Sequence, residues 1–109
     1  MTYLGDIAIS IDLIQEYTIG IADFGALYQD FKTYQAVERN FEIIGEAVNR
    51  LLLIAPELEI SNALKIVGLR NRIAHEYHKL DAGVIWSVVK DDLSGLEEEV
   101  EALILFYSE

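Results

Sequence analysis

The chain contains no cysteine. That absence excludes a disulfide framework and any thiolate-held metal, and it is the composition expected of a protein working in a reducing cytoplasm. Proline occurs once, at Pro56, which disfavours turn-rich β architectures and Pro-rich linkers alike. Long apolar runs are missing too: "LLLIA" at 51–55 is far short of the roughly eighteen residues of a bilayer span, so no membrane association is expected. The opening "MTYLGDIAIS" lacks a basic n-region and reaches Asp6 before any apolar core, against a secretory leader. Positive charge is scarce. Eight Lys and Arg face 19 Asp and Glu, a net charge of −11, so most of the surface repels a phosphate backbone and non-specific nucleic-acid binding is disfavoured.

What is present is a 109-residue chain that is 52% apolar, read as a single domain over 1–109 whose core is small enough to profit from a partner chain. Leu4, Ile7, Ile11 and Ile14 recur at three- and four-residue spacing, which predicts an amphipathic helix from Tyr3 to Tyr17, ended by Thr18 to Gly20. Residues 23–30, "DFGALYQD", read as a short helix or turn capped by Asp23. A long helix follows from Thr33 to Ile54, with Val37, Phe41, Ile44, Val48, Leu51 and Leu52 on its apolar stripe, and Pro56 stops it. A third long helix is expected from Ser61 to Tyr77, and a last one from residue 82 to 106 with Asp81 as its cap. Gly95 is the weak spot of that last helix, costing about 1 kcal/mol against alanine.

No strand alternation, internal repeat or low-complexity segment is present. The expected fold class is therefore all-α: an antiparallel helical bundle of four main helices plus a short helix, homodimeric. The acidic run "DDLSGLEEEVE" reads as a solvated helix face, with a docking surface for a basic partner as its alternative. The six tyrosines and Trp86 read as core or helix-contact residues, Trp86 also lying soon enough after the basic segment to flank a site.

Half of the lysines and arginines and both histidines fall between Lys65 and Lys79. This segment has a net charge of +3, leaving −14 on the remainder. An anionic ligand has one electrostatically favourable place to bind. On a wheel at about 100° per residue, Arg70 falls in the middle of the stripe made by Ala63, Ile66, Val67, Ile73, Ala74 and Tyr77. A guanidinium there needs a partner, since its desolvation costs several kcal/mol. One candidate is a salt bridge to Glu42 or Glu46 of the long helix; the other is a bound phosphate.

His75 lies about 140° from Arg70 on that wheel, one turn from Asn71. Histidine moves protons near neutral pH and arginine clamps phosphates, so the pair points to phosphodiester chemistry. The two side chains diverge too far to hold one substrate from a single straight helix, and a symmetric dimer sharing a cleft removes that difficulty. "HEYH" also permits a metal reading, with His75 and His78 as ligands, but a third protein ligand would have to come from Glu42 or Glu46. No metal and no cofactor are expected.

Arg70, His75 and Tyr77 match the R-x4-H-x-Y motif of HepT-like toxins, a branch of the HEPN superfamily, and Asn71 is the polar residue common just after that arginine. "RNFEIIGEAVNRL" (39–51), "GLRNRIAHEY" (68–77) and "VIWSVVKDDLSGLEEEV" (84–100) resemble successive helices of that family, in the right order over nearly the whole chain. The resemblance implies the toxin of a type VII-like HEPN/MNT toxin–antitoxin pair: a metal-independent endoribonuclease with its active site at a homodimer interface. It implies Arg70 and His75 as the catalytic pair, Asn71 in support, and Tyr77 as the site at which a cognate minimal nucleotidyltransferase antitoxin places AMP. Arg72 and Lys79 stand outside the motif and are assigned auxiliary phosphate binding. The alternative is a catalytically silent HEPN dimer that binds a nucleotide or the nucleotidyltransferase partner.

Overall fold

The structure is a computed structural model that describes residues 2–58 and 82–107. Five helices make up the described residues: α1 (Thr2–Tyr17), α2 (Phe24–Gln29), α3 (Phe31–Ile54), α4 (Ala82–Asp91) and α5 (Leu93–Tyr107). No strand occurs among them. The expected helix from Ser61 to Tyr77 and the expected cap Asp81 lie outside the described residues.

Helix α1 buries the four residues its spacing singled out, Leu4, Ile7, Ile11 and Ile14. They face Val37, Phe41, Ile44, Val48 and Leu51 of α3, all buried, and α1 against α3 is the largest helix pairing of the described bundle. Tyr3 and Asp6 share a groove with Ala47 and Arg50, so the start of α1 lies beside the end of α3 and the two run antiparallel. At the other end of α1, Gln15 donates to Glu97 of α5 at 3.3 Å, while Ala8 sits beside Glu101. Helix α5 is thus antiparallel to α1 as well.

The reversal from α1 to α3 is built from short-range chemistry. Thr18 donates its hydroxyl to the Ile14 carbonyl at 2.8 Å, and Gly20 turns the chain with φ of +82°, a region that L side chains avoid. Asp23 caps α2, accepting from the Ala26 N–H at 2.9 Å. Asp30 then ends α2 and starts α3: its backbone N–H donates to Ala26 and Leu27, and its carboxylate accepts from the Thr33 N–H and hydroxyl. Because Asp30 is the cap, α3 begins at Phe31, two residues earlier than the apolar stripe suggests. Its last helical residue is Ile54, two before Pro56.

The expected single helix over 82–106 is divided into α4 and α5 by one residue, Asp92. The division falls three residues before Gly95. Asp92 keeps helical hydrogen bonds on both sides, its N–H to Val88 at 3.0 Å and its carbonyl from Leu96 at 3.1 Å. Ile85, Val88, Leu93, Leu96 and Val100 therefore still share one buried face across the break. The tyrosine expectation is met in part. Tyr34 is buried, whereas Tyr28 is 62% exposed and meets the Tyr34 ring at 5.8 Å.

Candidate active site

Every residue assigned to the site from sequence, Arg70, Asn71, Arg72, His75, Tyr77 and Lys79, lies outside the described residues. What the structure describes is the scaffold on either side of that segment. Upstream, α3 closes with the Ala55 N–H donating to Leu51 at 2.8 Å, and the chain turns through a Leu58 to Ala55 hydrogen bond. Downstream, α4 begins at Ala82, five residues after Tyr77. The motif is tethered at both ends to helices that are themselves packed on the core.

Glu42 and Glu46, the carboxylates named as possible partners for Arg70, have partners on their own helix. Arg39 reaches Glu42 at 3.6 Å, and Arg50 reaches Glu46 at 3.1 Å. The spacings are i, i+3 and i, i+4, where helical side chains meet, and both could have been read in "RNFEIIGEAVNR". All four side chains are substantially exposed, so each pair contributes little to stability. The hydrogen bond to Glu46 and its charge hold the Arg50 guanidinium protonated more firmly than usual.

These pairs line a groove of about 380 Å³ between α1 and α3, together with Tyr3 and Asp6. Asp6, Glu42 and Glu46 outnumber Arg39 and Arg50 there, so the groove has no net attraction for phosphate. Glu38, half-buried beside it on α3, has its proton affinity raised first by burial and then by repulsion from Glu42. The described scaffold therefore concentrates carboxylates along α3. No group of three or more His, Cys, Asp or Glu residues suited to holding a metal occurs among the described residues. Both histidines lie outside them.

Trp86 is the aromatic residue nearest in sequence to the motif on the downstream side. It is half-buried on α4, packed against the edge of the core. The Lys90 ammonium lies 5.7 Å from the centre of its ring. Spacing of i, i+4 and opposite ends of the cation–π interaction explain the contact.

The described residues form an all-α scaffold, and comparison with known proteins gives the family. Residues 7–103 match the family described as "Ribonuclease HepT-like". The chain belongs to this family. It is 37% identical over 105 residues to "Probable ribonuclease HepT" of Thermococcus cleftensis, covering 93% of this chain and 92% of that protein. A second relative, "Putative RNase MJ1380" of Methanocaldococcus jannaschii, is 34% identical over 101 residues, with 91% of each chain covered. A third, from the same organism, is "Gamma-glutamylcyclotransferase and putative RNase MJ0434", 35% identical over 99 residues; these are 90% of this chain but 44% of that protein. No solved structure matches the chain. No described helix is long and apolar enough to cross a membrane.

Proposed function

We propose that this chain is a metal-independent endoribonuclease, the toxin of a toxin–antitoxin pair, with a composite active site where two copies meet. The observation that carries the reading is the family match over residues 7–103, an interval that includes Arg70, His75 and Tyr77. The charge distribution supports it: a +3 segment on a chain of net −11 is where a phosphodiester is attracted most strongly.

The chemistry follows from the residue types. An RNA 2'-hydroxyl attacks the adjacent phosphorus, and its proton is transferred through His75. The bond from 2'-oxygen to phosphorus forms as the bond to the 5'-oxygen breaks, and the leaving oxygen is protonated. Arg70 stabilises the charge that builds on the non-bridging oxygens, where a fixed guanidinium acts most strongly in the transition state. Asn71 supports that pair; Arg72 and Lys79 hold neighbouring phosphates. DNA is inert because it lacks the attacking hydroxyl. A cognate minimal nucleotidyltransferase transfers AMP from ATP to Tyr77, the phenol oxygen bonding the α-phosphorus as its bond to the β-phosphate breaks and pyrophosphate leaves; the AMP puts bulk and negative charge two residues from His75, blocking substrate by sterics and repulsion.

The test is cleavage of RNA in the presence of a chelator by the parent protein and by His75→Ala. The expected loss is about 100-fold or more, the ordinary worth of a general acid–base group. Equal rates would overturn the assignment. The dimer is checked by complementation: mixing inactive Arg70→Ala and His75→Ala chains restores cleavage if each cleft takes its arginine and histidine from different subunits.

A further inference from the structure

Lys90 is the sole basic residue after Lys79, and Trp86 is the sole tryptophan of the chain. The structure brings these two together, ammonium over indole at 5.7 Å. Trp86 keeps part of its surface open to solvent and Lys90 is exposed. Asp91, rotated by about 100° from Lys90 on the helix, faces another side, so the Trp86–Lys90 edge is a small cation-and-aromatic patch on a strongly acidic body.

A cation beside a partly open indole is suited to single-stranded nucleic acid, where aromatic rings stack bases and cations track the backbone. Distance favours the same ligand. The five peptide links from Tyr77 to Ala82 span at most about 18 Å, and Trp86 lies about 6 Å further along α4. A strand held at the motif therefore needs only a few nucleotides to reach this edge.

We infer that the Trp86–Lys90 edge of α4 is a substrate-binding subsite for single-stranded RNA, in which the Lys90 ammonium swings from the indole face to an adjoining phosphate and the face it vacates stacks a nucleobase. This rests on the ribonuclease reading and adds a contact outside the motif. The subsite binds and orients the strand; it takes no part in the proton transfers.

The single tryptophan makes the test direct. The full chain is titrated with a short RNA carrying 2'-O-methyl groups, which binds without being cut, while its labelled end reports binding by anisotropy and Trp86 reports by emission. Stacking should quench Trp86 emission and shield it from iodide at saturation. Lys90→Gln should raise KM severalfold with kcat unchanged and lower the salt slope of binding by about one, and Lys90→Arg should restore both. Binding by anisotropy with unchanged Trp86 emission and an unchanged Lys90→Gln salt slope would overturn the subsite and leave the nuclease reading standing. Absence of RNA binding would overturn both. Because the emission readout uses the parent protein, the test does not depend on a Trp86 variant that folds.

Discussion

Glu38 shows how the crowding of carboxylates along α3 acts on a single residue. Burial and the neighbouring Glu42 both favour its protonated form. The folded chain therefore holds this proton more tightly than the unfolded chain does. No penalty exists below the ordinary carboxylate pKa; it grows as pH rises through the raised folded value and persists above it. Glu38→Gln should accordingly raise Tm at pH 7 and leave it unchanged near pH 3, as followed by thermal circular dichroism. Residue-level chemistry was partly legible in sequence. The i, i+3 and i, i+4 spacing of Arg39 with Glu42 and of Glu46 with Arg50 encodes the pairs that form. The half-burial of Glu38 was not, because it depends on how deeply the helix sits against its neighbours.

At the scale of elements, the caps decide where helices begin. Asp30 serves α2 and α3 together, so Asp30→Ala should cost about 1 kcal/mol, measured by urea unfolding. Gly5 offers the opposite change. It lies inside α1 with nothing within 4 Å of where a Cβ would stand, and Gly5→Ala should stabilise by about 0.5–1 kcal/mol in the same assay, since alanine loses less freedom in a helix. The apolar stripes of α1 and α3 were readable because spacing of three and four residues leaves few alternatives for burial. The break at Asp92 was not readable from the same pattern. The stripe continues through it, from Val88 to Leu93 and Leu96, so periodicity alone reports one helix where the backbone makes two.

For the whole molecule, the net charge of −11 works against compactness, since like charges approach one another on folding. Raising NaCl from about 20 to 200 mM shortens the screening length from about 20 to 7 Å. The expected result is a Tm higher by several degrees in a salt-series melt. The same salt should weaken RNA capture, raising KM, because the attraction of the basic segment for phosphate is screened as well. Opposite signs for stability and for substrate affinity distinguish a locally positive site on an acidic body from a uniformly acidic surface.

Composition and periodicity by themselves determined that the chain is helical, where its apolar stripes lie, and where its scarce cations gather. Those properties are local: each depends on residues within a turn or two of one another. Tertiary structure alone decided that Gln15 meets Glu97 and that Glu38 loses water, because these depend on which faces meet across long separations in sequence. It also decided that Glu42 and Glu46 border a groove together with Tyr3 and Asp6. No spacing within one helix encodes a neighbour contributed by another.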